Sequence, residues 1–370
     1  MADSIDKSVT DTKTTVEIPG AEEIIQDQQE KIEKVQSDGG PVEIEMDDQG
    51  GAEISFDPNA VTPEGGEEHF SNLAEFLDDG LLTELATTLS DKYTSYKESR
   101  ADWEDSYREG LDLLGFKYQR RTQPFRGASS VTHPVLAEAV AQFQATAYKE
   151  LLPADGPVRS QILGAVTPAK QDQANRVKDF MNYQLMDQMK EYEPEFDQML
   201  FYLPLAGSTF KKVYYDDLLG RAVSKFVHSD DLVVPYSATS LEDAEAVVHV
   251  IKMSENELRK QQVSGFYKDI DLGEPPVVEN QLTEKKQELE GITQNGQEDM
   301  YTLLEFHIDL DLEGYEDVNP EDGEPTGIKV PYIVTVDTAN TEILSIRRNY
   351  QAEDPLKKKI NYFVQFKFLP

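Results

Sequence analysis

Three carboxylates in the last fifth of the sequence have a spacing that suits metal binding. Asp309, Asp311 and Glu313 alternate with apolar residues after His307, so on a β-strand all three would lie on one face. Carboxylate oxygens in this arrangement bind divalent cations, and such an ion activates water in metal-dependent nucleases and hydrolases. The same alternation is typical of any half-buried antiparallel strand with a solvated face, which is the interpretation we prefer.

No other recognised catalytic or cofactor-binding motif occurs in the sequence. It lacks the GxxxxGK[ST] and GxGxxG loops that bind nucleotide phosphates, and the GxSxG motif of serine hydrolases. The absence of cysteine excludes a thiol nucleophile. No metal-ligand spacing relates the histidines, for which we expect packing or surface roles: His69, His133, His228, His249 and His307. The sequence therefore predicts a protein without catalytic residues, cofactor or metal.

The chain is strongly acidic. Its 370 residues include 71 acidic and 35 basic side chains, giving a formal net charge of -36. Such an excess repels phosphate backbones and anionic lipid surfaces, which disfavours tight general binding of nucleic acid. It suits equally a surface that stays soluble at high copy number and a channel along which DNA slides without sticking. With no signal peptide and no stretch of ~18 apolar residues, we expect no membrane partner.

Positive charge is concentrated in two short stretches. The first is a loop that contains Tyr118 and Phe125 between the basic residues Lys117, Arg120, Arg121 and Arg126. The second comprises Lys357, Lys358 and Lys359, near Arg347 and Arg348. Basic residues between aromatic ones suit phosphate contact and base stacking, and would equally suit the acidic face of a neighbouring subunit. Ion pairs within the chain are the simpler interpretation, but the first loop remains a candidate subunit or DNA contact.

The order of patterns predicts an α+β protein with three parts. Residues 1–70 hold 19 acidic residues against four lysines, which predicts a disordered acidic tail. Residues 71–207 have apolar residues at helical spacing, and residues 208–370 alternate strand and helix patterns with strands predominating. The expected arrangement is a helical module followed by a mixed, β-rich one. The last strand pattern runs to Pro370 without a polar tail, so we expect a longer protein.

Local signals predict the limits of the individual elements. One helical region extends from Leu82 to Leu114, and a later helix begins at Thr167-Pro168. The apolar stripe of this later helix consists of Val177, Phe180, Met181, Leu185 and Met189. We expect Pro194 to break it and Pro204 to end the next helix. A strand is expected at 158–163, and a hairpin at 210–215 and 222–227.

Five segments of the sequence resemble, in their order, the portal proteins of short-tailed bacteriophages. They are 120–140 (RRTQPFRGASSVTHPVLAEAV), 148–153 (YKELLP), 210–216 (FKKVYYD), 229–238 (SDDLVVPYSA) and 257–267, where ELRK leads to a glycine followed by Phe-Tyr. The resemblance covers Leu82 to Pro370 and lies in the order of the segments more than in any one of them. It does not cover residues 1–70.

The resemblance implies a portal-protein fold, here mostly its wing, with the channel helices and the clip mainly beyond Pro370. It implies a non-catalytic structural subunit of a homo-oligomeric ring, typically a dodecamer, at the unique capsid vertex. This head-tail connector is the channel for viral genome packaging and ejection. The implied partners are copies of the chain itself, major capsid and scaffolding proteins, the terminase motor, tail and adaptor proteins, and passing double-stranded DNA. The implied location is the virion, assembled in the host cytoplasm.

Two alternatives stay open at this point. Another virion structural protein, such as a tail adaptor or a scaffold, would share the acidity and the lack of motifs, but not the order of portal-like segments. A metal-dependent hydrolase built on Asp309, Asp311 and Glu313 would require a bound divalent metal, and its activity would be lost in Asp309→Ala.

The basic loop provides a first prediction. If Arg120, Arg121 and Arg126 contact the acidic face of the next subunit, reversing their charge will weaken assembly, because the contact becomes repulsive. The mass of the assembled oligomer, measured for the variant and the unaltered protein, checks this. An unchanged ring mass would exclude the interface role of this loop.

Overall fold

A computed structural model of the chain describes residues 43–46, 52–55, 69–114, 125, 133–216, 219–274, 286, 300–318 and 324–368. The chain divides into two units, Met1–Ser71 and Asn72–Pro370. In the first unit, strands β1 (Glu43–Met46) and β2 (Ala52–Ser55) pair as an antiparallel hairpin. This hairpin lies within the tail that was predicted to be disordered, and the sequence analysis did not predict it. The rest of that tail, up to residue 68, lies outside the described residues.

The second unit contains both helices and strands, so the predicted α+β class is confirmed. Its described helices are α1 (Asp79–Ser99), α2 (Ala101–Leu114), α3 (Val135–Leu151), α4 (Pro168–Tyr183), α5 (Tyr192–Ala206) and α6 (Glu255–Val263). A 3₁₀ turn (Leu73–Glu75) precedes α1, and a π-helical turn (Gln184–Gln188) follows α4. The strands are β3 (Ser208–Asp216), β4 (Arg221–Val227), β5 (Leu232–Val233), β6 (Ala246–Ser254), β7 (Met300–Leu310), β8 (Val330–Asp337), β9 (Ile343–Arg348) and β10 (Phe363–Lys367).

The strands of this unit form two antiparallel sheets. The smaller has the order β10-β3-β4, and the larger has the order β5-β6-β7-β8-β9. The predicted hairpin is confirmed as β3 and β4, paired from Phe210 opposite Val227 to Asp216 opposite Arg221. The strand predicted at 158–163 is wrong, because this extended segment pairs with no strand. Apolar alternation alone does not create the partner that a strand requires.

The five-stranded sheet has interior contacts on both faces. Since successive side chains of a strand point to opposite faces, Leu304, Phe306 and Ile308 of β7 lie on one side, in a core with Leu82 and Leu89 of α1. Glu305 and His307 lie on the other side, toward the three-stranded sheet. Burial on both sides explains why β8 is apolar at every position except Thr335 and Asp337.

Helix limits follow from local chemistry in some places and not in others. Thr167 accepts a hydrogen bond from Lys170 N at the predicted start of α4, and Ser254 forms a capping box at the start of α6. The predicted end at Pro204 is wrong, because α5 continues to Ala206 and ends at Gly207 with a φ of 80°. Pro194 lies in the first turn of α5, where a missing N–H is tolerated.

A buried cluster of charged and aromatic groups joins the two sheets. Lys212 of β3 places its Nζ 2.6 and 2.8 Å from the two carboxylate oxygens of Glu305 on β7. His307 Nε2 lies 2.8 Å from Glu305 Oε1, and His249 of β6 opposes Glu305 in the strand register. The ring of Phe363 on β10 packs against His307 and His249, at centroid distances of 5.1 and 5.5 Å. Strands of both sheets thus meet at one carboxylate.

The charge states in this cluster follow from its contacts. Burial raises the pKa of Glu305, but the charge of Lys212 and the contacts with both histidines outweigh burial and hold that pKa well below its usual range. Burial lowers the pKa of His249 and His307, against the opposing effect of Glu305. Because an ionised carboxylate only accepts hydrogen bonds, a neutral His307 must donate from Nε2. The cluster therefore contains one carboxylate balanced by one ammonium group.

Removing one partner of this pair will destabilise the protein. Lys212→Met leaves the Glu305 charge buried without its cation, and should lower the free energy of unfolding by about 3–5 kcal/mol. Combining it with Glu305→Gln should recover most of this loss, because no unpaired charge remains. Urea unfolding of the two variants measures both effects.

The matched control is Lys225→Met, because Lys225 is the exposed lysine opposite Lys212 on β4. Its effect should stay within about 0.5 kcal/mol. Equal losses for the variants at 212 and 225 would contradict the structural role of the Lys212–Glu305 pair.

Candidate functional site

Of the two basic stretches found in the sequence, only the second lies within the described residues. Lys117, Arg120, Arg121 and Arg126 lie outside the described residues, so their contact with a subunit or with DNA stays a prediction.

The second basic stretch is engaged within the domain. Lys357 Nζ lies 2.5 Å from Asp317 Oδ1, Arg347 donates to the carbonyls of Gly265 and Phe266, and Arg348 lies over the ring of Tyr315. The predicted ion pair within the chain is confirmed for Lys357, whereas Arg347 and Arg348 contact carbonyls and an aromatic ring of the same chain.

The three carboxylates considered as metal ligands do not share a strand face. Strand β7 ends at Leu310, so Asp309 lies in the strand while Asp311 and Glu313 lie beyond it, and all three are exposed. Among the described residues, no group of three or more acidic or histidine side chains is arranged to hold a metal ion. The hydrolase alternative therefore gains no support from these carboxylates.

The described histidines have the packing and surface roles that were predicted. His133 is exposed, His228 packs against the rings of Tyr202 and Phe226, and His249 and His307 belong to the cluster between the sheets. Within the part of the chain that the structure describes, no helix is long and apolar enough to span a bilayer.

Arg100 attaches helices α1 and α2 to the edge of the larger sheet. Its guanidinium donates to the carbonyls of Ser229, Asp230 and Leu232 at 3.1, 2.6 and 2.9 Å, and to Glu104 at 2.8 Å. The region predicted to be helical from Leu82 to Leu114 is helical on both sides of Arg100, where the chain bends between α1 and α2. The bend gives α2 its own direction.

Two aspartates, the buried Asp230 and the half-buried Asp231, lie beside this bend. Asp230 pairs with Lys286. Burial raises the pKa of Asp230, but the charge and hydrogen bond of Lys286 outweigh burial and lower that pKa below its usual value. For Asp231, burial and then the charge of Asp230 raise the pKa to about 6. The attachment of α2 thus includes one carboxyl group that ionises less readily than an ordinary aspartate.

Helix α5 lies at the centre of the helical layer. It packs against the three-stranded sheet, where the buried Lys211 places its Nζ 4.6 Å from the ring centroid of Tyr192. Tyr202 and Ala206 of α5 bury Tyr107 and Leu111 of α2. On another side, α5 shares a cluster with α3 through Phe196, Met199, Leu200, Phe143 and Ala147. These contacts hold α2 and α3 on the sheet.

Helix α4 is attached mainly at its end. The side-chain amide of Asn182 accepts a hydrogen bond from Val158 N at 2.9 Å and donates to Val158 O at 3.2 Å. Gly156, with a φ of 88°, lies so close that an added Cβ would be 2.5 Å from this amide. None of the residues of α4 is buried, so the helix extends beyond the packed layer.

The apolar side of α4 is left uncovered. Val177, Phe180 and Met181 are 48%, 58% and 43% exposed, and helical geometry places them on one side. Leu163 and Val166, just before the helix, are 85% and 65% exposed. Three residues of the predicted stripe therefore lie on α4 and are not buried, whereas Leu185 lies in the π-helical turn and Met189 follows it. A contiguous exposed apolar group of this kind marks an interaction surface.

The chain matches no known protein-family model and no curated protein. The uncovered side of α4, defined by Val177, Phe180 and Met181, is thus the candidate functional site on physical grounds alone.

The Asp231 carboxyl gives a prediction of pH dependence. Its folded-state pKa of about 6 lies above the ~3.9 of an unfolded aspartate, so the folded state loses stability as the pH rises from about 4 to above about 6. Asp231→Asn should therefore stabilise the protein by up to about 3 kcal/mol near pH 8, and much less near pH 4. Urea unfolding at both pH values measures this difference.

Asp187→Asn is the control, since Asp187 is exposed in the π-helical turn. Its effect should stay within about 0.5 kcal/mol, because the side chain is exposed. A gain in Asp231→Asn that is the same at both pH values would contradict an ionisation effect.

Proposed function

We propose that this chain is the wing portion of a portal protein, a structural, non-catalytic subunit of the ring at the capsid vertex of a short-tailed bacteriophage. The observation that carries the proposal is the uncovered apolar side of α4. A helix with no buried residue gains little stability from packing in its own domain, and a second surface is needed to cover Val177, Phe180 and Met181. A subunit that works within an assembly leaves such a surface open until it assembles.

The portal-like segments support the proposal through the places they occupy. The segment 210–216 lies in β3 and carries Lys211 and Lys212, which contact the helical layer and the larger sheet. The segment 229–238 begins at Ser229, whose carbonyl accepts a hydrogen bond from Arg100. The resemblance therefore includes residues on which the packing of this domain depends, and this favours a common fold over chance likeness.

The proposed role is mechanical. Each copy carries a net charge of -36, which repels a passing duplex and lets it move without being held. The ring, proposed to be a dodecamer, would connect the major capsid and scaffolding proteins with the terminase motor during packaging. Tail and adaptor proteins would bind it afterwards, and the genome would leave through the same channel on ejection.

Imaging and weighing the purified full-length protein test the proposal. Negative-stain microscopy should reveal closed rings with an axial hole, and native mass measurement should give an integer multiple of the subunit mass. A tail adaptor or scaffold would not form such a ring by itself. A protein that stays monomeric at every concentration, or that hydrolyses a substrate when divalent metal is added, would contradict the proposal.

A further inference from the structure

We infer that the apolar side of α4 packs against the acidic side of α2 in a second copy of this chain. The inference deepens the proposed function and rests on it, because it identifies the two surfaces that would meet between neighbouring subunits of the ring. It starts from three properties of the described residues: the exposure of one helix, the charge of another and the similar lengths of both.

The apolar side of α4 has a basic border. At 100° per residue, Arg176 and Lys178 flank the stripe of Val177, Phe180 and Met181 on its two sides, whereas Asp172 and Asp179 fall on the opposite side. Lys178 Nζ lies 3.6 Å from the Asp179 carboxylate, an exposed contact that contributes little. In a chain with twice as many acidic as basic residues, this border is unusual. It selects a partner surface that is negative.

Helix α2 carries such a negative surface. Its buried residues Tyr107, Leu111 and Leu114 face the domain. On the opposite side, helical geometry aligns Asp102, Asp105, Ser106, Glu109 and Leu113, all of them exposed. Asp105 pairs with Arg108 of the same helix. Leu113, 58% exposed, provides an apolar contact at the end of this row.

The two helices match in length as well as in charge. The α4 helix has 16 residues and α2 has 14, so they are about 24 and about 21 Å long at 1.5 Å per residue. Packed side by side in the same direction, they would bring Arg176 toward Glu109 and Phe180 toward Leu113, because positions 176 and 180 are one helical turn apart on α4, as positions 109 and 113 are on α2. Opposite charges in this arrangement favour association, and they also exclude a shifted register.

The charges also distinguish a second copy in head-to-tail orientation from a symmetric pair. Contact of α4 with α4 would bring two basic borders together, and contact of α2 with α2 would oppose two acidic rows, so both symmetric pairs are repulsive. Contact of α4 with α2 uses two different surfaces of each copy. An interface of this heterologous kind repeats from subunit to subunit and closes into a ring when the rotation allows it.

Cross-linking of the full-length protein tests the inference directly. Because the chain has no cysteine, Phe180→Cys can be introduced in one preparation and Leu113→Cys in another, and the two can be mixed and oxidised. A covalent dimer should form in the mixture and not with either variant alone, because the heterologous contact joins position 180 of one copy to position 113 of the next. Disulfide formation requires a Cα separation below about 7 Å, so a short bis-maleimide is used in parallel.

The matched control replaces Phe180→Cys by Asp179→Cys, because Asp179 is exposed on the opposite side of the same helix. The yield of covalent dimer with Leu113→Cys should fall at least about tenfold, in keeping with a contact confined to one helix face. Circular dichroism of each variant establishes that the fold is retained. Equal yields at 179 and 180 would overturn the inference.

Charge reversal provides the second measurement. Arg176→Glu or Glu109→Arg alone should weaken association at least about tenfold, because like charges then oppose each other. A chain that carries both changes should recover most of the association, since the pair is attractive again with its charges exchanged. Sedimentation velocity measures the three variants. Failure of the double variant to recover would contradict the pairing of these two helices.

The outcomes separate the inference from the proposed function. Rings that form without the cross-link, and that are insensitive to both charge changes, would overturn the α4–α2 pairing and leave the ring intact. A cross-link that forms in open chains without closed rings would support the pairing and contradict the ring function. A protein that is monomeric under all conditions would overturn both. A stable complex only with a different virion protein seated on α4 would show that the partner is not a second copy.

Discussion

Glu305 places a carboxylate between the two sheets, and the fold depends on neutralising it. Lys212 does so from β3, at 2.6 and 2.8 Å, and an uncompensated charge there costs several kcal/mol. The next residue back, Lys211, points to the other face of β3 and contacts Tyr192 of α5. Two consecutive lysines thus connect the larger sheet, the smaller sheet and the helical layer. The position of α5 in turn determines where α2 and α3 can pack.

The elements that depend on local chemistry could be predicted from the sequence. The hairpin of β3 and β4, the start of α4 at Thr167 and the capping box at Ser254 all rest on contacts within a few residues. The bend at Arg100 could not be predicted, because its guanidinium is held by carbonyls about 130 residues later in the chain. The continuation of α5 through Pro204 depends in the same way on packing around the helix end.

The sequence predicted which residues form the candidate site, but it did not predict that their side chains are exposed. Helical spacing identifies Val177, Phe180 and Met181 as one side of a helix, yet spacing does not reveal whether the domain supplies a surface to cover them. The cluster around Glu305 was missed, although a signal exists. Strand alternation makes one of Lys211 and Lys212 face each side of β3, and Glu305 and His307 alternate with apolar residues that must face the core.

The direction of α4 and the stability of the core depend on different residues. Asn182 and Gly156 aim the helix through the amide contacts with Val158, and neither residue belongs to a buried apolar cluster. Changes at these two positions alter the angle of the helix while the sheets keep their packing. In the ring proposed above, such changes would alter the curvature of the assembly without a change in how each chain folds.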